Sequence, residues 1–252
     1  MSKIALIDFD MFTYRAAYFS NEITNSQLVE SNTINYLTSV MEKAGTDKAL
    51  LMTTHKHLYR KELFPDYKKS RENKYKTMDD VDQYIKWKSY IATLFSPLAF
   101  KIPGYEADDL IAAYANIIDD YVIISDDKDL NQIPGEHMNF KEENYYISKD
   151  RALYNLCKQI LMGDSTDDIP GLRRVGVKTA EKILEEKGVS LGAVLEAYLE
   201  KGTGSIQERV NFFNTMLRMV HLHVPSDIIE KYEYKDKIVK IDEFRSVGGY
   251  SL

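Results

Sequence analysis

Two stretches decide the reading of the fold: KIALIDFD at residues 3–10 and YVIISDDKD at residues 121–129. Each is a short apolar run that breaks off at an Asp. An apolar run without polar alternation suits a strand buried on both faces. KALLM at residues 48–52 reads the same way. Between these runs lie helical patterns. Ile34, Leu37, Val40 and Met41 space a helix over 33–43, and residues 106–118 are nearly all apolar after their first turn, as in a buried helix. Strands alternating with helices predict an α/β fold with a mostly parallel central sheet flanked by helices. Such sheets bind ligands beyond the carboxyl ends of their strands. Asp8 and the run Asp126-Asp127-Lys128-Asp129 fall at those ends.

The division expected is an α/β core over 1–150 and a mainly helical region over 151–252, packed on the core. The core includes a basic segment at about 60–95. The helical region has a Gly-punctuated turn element within about 160–187. From Ser226 the chain alternates Lys with Asp and Glu and is expected to lie along the surface.

Composition narrows the class. With 44% hydrophobic residues in 252, a sizeable core is within reach and global disorder is excluded. The single Cys157 excludes an internal disulfide framework and a multi-cysteine zinc site. No apolar run has membrane-spanning length, and the first residues lead into a strand, not a signal peptide. A soluble intracellular protein with no membrane partner is the expectation. The net charge of −6 argues at first against a nucleic-acid partner.

The acids, however, are concentrated. LIDFD (6–10), YEADD (105–109), SDDKD (125–129) and GDSTDD (163–168) together hold eleven carboxylates. Without them, 33 cations would face 28 acids, a mildly basic balance of +5. Carboxylates at such density raise one another's pKa unless a cation neutralises them. Hard divalent ions prefer oxygen ligands, and Mg²⁺ takes a few carboxylates with waters and substrate phosphate. No His or Cys stands in these motifs, which argues against zinc. Each motif alone has an ordinary explanation: Asp8 as a strand end, Glu106, Asp108 and Asp109 as acids favoured at a helix start, Asp164 as a cap. Four together favour metal binding.

Two further elements point to nucleic acid. IPGLRRVGVKTA (169–180) is a Gly-x-x-x-x-Gly turn leading into a helix, with Arg173, Arg174 and Lys178 beside it. Backbone N–H groups at such a helix start bind phosphate without reading a base. The ordinary alternative is a helix corner with Gly at a cap. Residues 56–88 carry ten Lys or Arg against six acids and are rich in Tyr. That suits a single strand whose bases stack on aromatic rings, although a solvated helix face would look similar.

With these motifs in order, the chain resembles the 5′ nuclease family: flap endonucleases, the 5′ nuclease domains of bacterial DNA polymerases, and phage 5′→3′ exonucleases. Its size and short basic segment are most similar to the phage members. The resemblance runs from about Lys3 to Asn214. It implies a 5′ nuclease (PIN-like) fold with a short helical arch over the basic segment and a helix–three-turn–helix element in the helical region. It implies Mg²⁺ or Mn²⁺, two ions: one at Asp8, Glu106, Asp108 and Asp109, the other at Asp127, Asp129, Asp164 and Asp167, with some shared. Asp10, Asp126 and Asp168 are not ligand positions of the family. Tyr67-Lys68-Lys69-Ser70-Arg71 matches the motif at the arch base. Lys68 and Arg71 would contact the scissile phosphate, with Arg60 in support and Tyr67 and Lys69 on the DNA side. Gly171, Arg173, Arg174, Val175, Gly176, Lys178 and Thr179 would grip a duplex backbone, with K⁺ at the turn.

The activity implied is metal-assisted hydrolysis of DNA phosphodiester bonds at a 5′ end, nick or flap, leaving 5′-phosphates, in replication or repair. An RNA primer in an RNA/DNA hybrid is a further substrate. A monomer in the cytoplasm, the host's if phage-encoded, is expected. One position departs from the pattern. The family carries an Asp at the end of the second strand, seven residues before Arg60, and here that residue is Thr53. Thr53, Thr54 and His55 are candidates to hold a water beside the ion instead, and Thr53→Asp is expected to tighten metal binding if the gap is real. Two alternatives follow: a junction-binding protein whose catalysis is weakened by the missing Asp, and a PIN-like ribonuclease, against which the 163–180 element argues.

Overall fold

The computed structural model describes residues 3–71, 81–244 and 246–247. The part of the expected arch at residues 72–80, with Lys74 and Lys76, lies outside the described residues.

Strand β1 (Ile4–Asp8) is buried along its whole length. It lies between β2 (Lys48–Met52) and β4 (Tyr121–Ile124), parallel to both. Helices cover both faces, which is why these strands carry no polar alternation. The alternation is instead between two cores. Ala5, Ile7, Ala49, Leu51, Val122 and Ile124 face one, while Ile4, Leu6, Leu50, Met52 and Ile123 face the other. The first core is closed by α1 (Phe9–Phe19), α2 (Ser26–Lys43) and α4 (Val81–Leu94), through Phe12, Leu37, Met41 and Trp87. The second is closed by α5 (Ala107–Ala115), through Leu110, Ile111 and Tyr114. Each fully buried side chain of this size contributes about 1.5–3 kcal/mol.

The sheet runs in the order β3-β2-β1-β4-β5-β6, where β3 is Ala99–Phe100, β5 is Gly135–Met138 and β6 is Asn144–Ile147. All neighbours on this path are parallel except β5 and β6. The chain builds outward from β1 to β3, then returns to β1's other side with β4. The carboxyl ends of β1 and β4 therefore flank a topological switch point, where sheets of this kind bind ligands.

A third core joins α6 (Lys149–Met162), α7 (Val177–Lys187), α8 (Leu191–Lys201) and α9 (Ile206–Val220) around Tyr198, Ile160 and Met216. The short helix α3 (Tyr59–Leu63) packs on α9. The stretch after Ser226 departs from the surface placement expected of its charges. Following α10 (Ser226–Ile229), β7 (Val239–Lys240) adds antiparallel to β2, and Val239 and Phe244 of β7 and α11 (Ile241–Phe244) are buried. Apolar residues spaced among the charges, Ile228, Ile229, Tyr232 and Ile238, draw it onto the second core.

Candidate metal centre

Asp8 ends β1 and caps α1. Its carboxylate accepts from Met11 N at 3.1 Å and from Ser125 Oγ at 2.9 Å, and so ties the ends of β1 and β4 together. Burial, then Asp10 and Asp127 nearby, push its pKa up to about 7. Ser125 Oγ also accepts from Asp127 N at 3.0 Å. Asp127 caps the 3-10 turn Lys128–Gln132 by accepting from Asp129 N at 2.9 Å. Asp129 is likewise pushed up to about 7, by burial and by Asp127, Asp164 and Asp167. Four acids from two distant loops therefore converge here. Asp164 accepts from Thr166 N at 2.7 Å, and Lys128 approaches it at 3.5 Å.

The second acidic group stands at the start of α5. Ligand oxygens of Glu106, Asp108 and Asp109 lie within 4.8 Å of one another, the one such cluster among the described residues. Its members differ in partners. Asp109 is fully buried and paired on both oxygens with Arg60, at 2.6 and 2.7 Å. It also accepts from Glu106 N and His223 N, each at 3.2 Å. Glu106 receives Arg60 at 3.0 Å, Tyr67 Oη at 2.6 Å and Lys68. Those cations lower its pKa against the opposing effect of burial. Asp108 has no ion pair among the described residues, and burial with Glu106 and Asp109 beside it raises its pKa well above the usual range.

The two acidic groups meet at the base of the basic segment. Lys68 pairs with Glu106 on one side and approaches Asp167 at 3.4 Å on the other. Arg71 pairs with Asp167 and remains half exposed. Lys68 N donates to Asp167 O at 3.0 Å, and Ser70 N to Asp168 at 2.8 Å, which docks segment 66–71 on loop 164–168. Lys68 and Asp168 both take positive φ, at 58° and 59°. Such backbone costs about 1–2 kcal/mol for a non-glycine residue and marks a docked segment held by its surroundings.

Several sequence-derived residues sit differently from expectation. Arg60 is 1% exposed, and besides its two acids it donates to Met219 O at 2.9 Å, so it cannot reach a ligand in solvent. Tyr67, expected on the DNA side, is buried with its hydroxyl on Glu106 and 3.3 Å from Asp167. Val175 and Gly171 are buried and form the scaffold of the 169–176 turn. Arg173, Arg174, Gly176, Lys178 and Thr179 lie around the start of α7, where all but Arg174's neighbour Val175 are open to solvent, and Lys69 is exposed beside Asp66. The turn is clamped by a close approach of Gly163 and Gly171. A Cβ on either would lie within 2.4 Å of backbone atoms at the other.

The residues around Thr53 are occupied locally. Thr53 Oγ1 donates to Asp10 at 2.6 Å, Thr54 Oγ1 accepts from Ala107 N at 3.1 Å, and His55 Nδ1 lies 3.2 Å from Gly104 N. Arg15 and Phe140, which stand in no motif of the sequence, also border the site. Arg15 pairs with Asp126 and stacks on Phe140 at 6.0 Å. Arg15 and Asp126, together with Lys128, Asn139, Lys141 and Tyr145, line a cleft of about 350 Å³ beside Asp127.

The donor set fits divalent cations. It is all oxygen, and Asp8, Asp108, Asp127 and Asp129 have no ion pair among the described residues. Uncompensated acids at this density need an external cation to be ionised together. Among the described residues no helix is long and apolar enough to cross a membrane.

Comparison with known proteins agrees with this geometry. The family model for the 5′-3′ exonuclease, N-terminal resolvase-like domain, matches residues 3–162. A 5′-3′ exonuclease of Bacillus subtilis is 26% identical over 88% of this chain and 83% of its own length. The DNA polymerase I of Caldicellulosiruptor bescii is 28% identical over 82% of this chain, which spans only 27% of that polymerase. Among solved structures, the bacteriophage T5 D15 flap endonuclease in complex with DNA and metal ions superposes with a TM-score of 0.73 at 20% identity, covering 96% of this chain and 98% of that one. Flap endonuclease-1 from Methanococcus jannaschii superposes at 0.53 with 15% identity, covering 97% and 89%. The mostly parallel sheet flanked by helices is the fold these structures share.

Proposed function

Because the chain belongs to the 5′-3′ exonuclease family, we propose that it is a divalent-metal-dependent 5′ nuclease that hydrolyses DNA phosphodiester bonds at 5′ ends, nicks or flaps. One observation carries the reading: acids without an ion pair among the described residues, Asp8, Asp127 and Asp129 at the ends of β1 and β4 and Asp108 at the start of α5, belong to an acidic network that Lys68 and Arg71 enter through Glu106 and Asp167. Asp8, Glu106 and Asp108 would hold one Mg²⁺ or Mn²⁺ ion, without the expected Asp109, whose two oxygens are taken by Arg60, and Asp127, Asp129, Asp164 and Asp167 would hold a second. Bound there, such ions supply an activated water and charge neutralisation for in-line displacement.

The chain's own residues bind and orient the strand. Lys68 and Arg71 already rest on acids of the site and would turn to a phosphate that enters between them. They would stabilise the extra negative charge of its pentacovalent state. The exposed start of α7, with Arg173, Arg174, Lys178 and Thr179, would hold the duplex by its backbone, with K⁺ at the turn. Asp109 and Arg60 form the buried scaffold that orients Glu106. Recognition of backbone alone makes the enzyme structure-specific, and its substrates include RNA/DNA hybrid. It acts as a monomer in the cytoplasm, and residues 1–150 and 151–252 divide cleavage from duplex binding.

The test is cleavage of labelled nicked and 5′-flap DNA by wild type and Asp129→Ala, with Mg²⁺, Mn²⁺ or EDTA. Metal-dependent release of 5′ products by wild type alone supports the reading, and product length gives the mode. Salt-sensitive binding without cleavage in either metal would instead make the chain a junction-binding protein, the outcome that Thr53 in place of an acid would favour.

A further inference from the structure

The end of β2 carries Thr53 where the family pattern has an acid, yet a carboxylate is already present there. Asp10, in the first turn of α1, reaches across the sheet end to β2. Its Oδ1 accepts from Thr53 Oγ1 at 2.6 Å and its Oδ2 from Thr54 N at 2.8 Å. Residue 53 is anchored in its turn, since Thr53 N donates to Phe100 O of β3 at 2.9 Å. Asp8 stands directly opposite Met52 in the β1–β2 register, so the end of β2 is a wall of the same site.

Two features distinguish this carboxylate from a simple staple. Both its donors are neutral, and no Lys, Arg or His pairs with it among the described residues. A neutral amide or hydroxyl would tie α1 to β2 as well, and would avoid placing a third negative charge beside Asp8 and Asp127. Each oxygen also accepts one hydrogen bond and keeps further acceptor capacity. The hydrogen-bond length puts the charge within about 3 Å of where residue 53's side chain ends.

We propose that Asp10 is the metal-site carboxylate that the second strand lacks, relocated to α1, with Thr53 as the hydrogen-bond donor that aims it. Asp10 is a positioning residue: it adds negative charge at the β2 wall and orients what the Asp8 side of the site binds. This rests on the metal-dependent reading above. It also reverses the expectation for Thr53→Asp. With Asp10 in place, a second carboxylate at 53 would face the first within hydrogen-bond distance and repel it.

The test is Mn²⁺ titration of the full chain by calorimetry, with melting curves to verify folding. Asp10→Asn should weaken one of the two Mn²⁺ sites roughly ten- to hundredfold, as removal of a supporting carboxylate does. Thr53→Val, which keeps shape but removes the donor, should weaken the same site by a smaller factor. Thr53→Asp alone should not tighten binding, whereas Asp10→Asn with Thr53→Asp should return the affinity to near wild type. Wild-type affinity in Asp10→Asn, or tighter binding in Thr53→Asp alone, would overturn the proposal. Asp108→Asn and Asp129→Ala in the same titration separate the two readings. If neither changes Mn²⁺ binding, the metal centre itself has been misplaced; if they abolish it while Asp10→Asn does not, only the role of Asp10 falls.

Discussion

Replacing Arg60 by Met keeps the aliphatic volume and removes the guanidinium from a fully enclosed position. The consequence follows from its contacts. Arg60 makes a two-pronged pair with Asp109, at 2.6 and 2.7 Å, and a third contact to Glu106 at 3.0 Å. Asp109 is 0% exposed, so water cannot replace the lost partner. Breaking a buried ion pair from one side costs about 3–5 kcal/mol. A Coulomb estimate agrees, at about 4 kcal/mol for charges about 4 Å apart and an effective dielectric near 20. For a chain of this size that loss lowers the melting temperature by roughly 10 °C. Urea unfolding of Arg60→Met, Asp109→Leu and the double variant checks the pairing. The double should be less destabilised than the sum of the singles, with a coupling of about 2–3 kcal/mol. A melting temperature for Arg60→Met within about 2 °C of wild type, together with lost cleavage, would refute the reasoning and place Arg60 on the substrate.

Acidity governs the metal response. Asp8 and Asp129 ionise near pH 7 in the folded chain, against an ordinary value of 3.8. The stability these two acids add is therefore full below pH 4 and lost as pH rises to about 7, and for buried Asp8 the loss is about 4 kcal/mol. In the proposed function, protons and Mg²⁺ would compete for the same oxygens. The rise in melting temperature on adding Mg²⁺ should be small at pH 5.5, grow through pH 7 and level off above pH 8; a pH-independent rise would mean that protons and metal do not share these oxygens. Lys178→Ala and Arg174→Ala should each weaken duplex binding across sequences and reduce the slope of log affinity against log salt by about 0.9. An unchanged slope would remove the start of α7 from the DNA interface. Gly171→Ala should cost at least about 2 kcal/mol, because its Cβ would lie 2.2 Å from the Met162 carbonyl carbon at a φ of +62°. Gly45→Ala, also at positive φ but in open space at the end of α2, should cost only about 1 kcal/mol. Equal melting temperatures for the two would show that the Gly163–Gly171 contact is not tight.

The strands legible in the sequence were those buried on both faces. β1, β2 and β4 are uninterrupted apolar runs because each side of each strand meets a helix-covered core. β3, β5, β6 and β7 were not legible. They have two to four residues each, and sequences such as GEHM and NYYI have no apolar periodicity. They are strands because a neighbour's register offers them hydrogen bonds, which is tertiary information. The acidic motifs were legible by position, at strand ends and helix starts. Their division of labour was not. Asp108 and Asp109 are adjacent, so on a helix their side chains diverge by about 100°. One is left without a cation and the other meets Arg60, 49 residues away in sequence. Nothing in the tetrad Glu-Ala-Asp-Asp says which is which.

The same division runs through the whole site. Arg60 neutralises Asp109, Arg15 neutralises Asp126, and Lys68 and Arg71 hold Glu106 and Asp167. Asp8, Asp127 and Asp129 face other acids, and Asp108 faces Glu106 and Asp109, none of the four with an ion pair among the described residues. The first two cations are held by fixed partners, Arg60 at 1% exposure and Arg15 stacked on Phe140. Arg71 is half exposed, and Lys68 sits on a backbone turn of positive φ. The buried Arg60–Asp109 pair sets the geometry at the start of α5, where Asp109 also accepts from Glu106 N. Lys68 and Arg71 neutralise Glu106 and Asp167, and in the proposed function they are the pair that would exchange a carboxylate for a phosphate when a strand arrives. That exchange is close to charge-neutral for Lys68 and Arg71, since one anion replaces another. The carboxylates they release then add to the negative charge around the unpaired acids. Substrate and cation binding should therefore reinforce each other, each removing a cost the other would otherwise face.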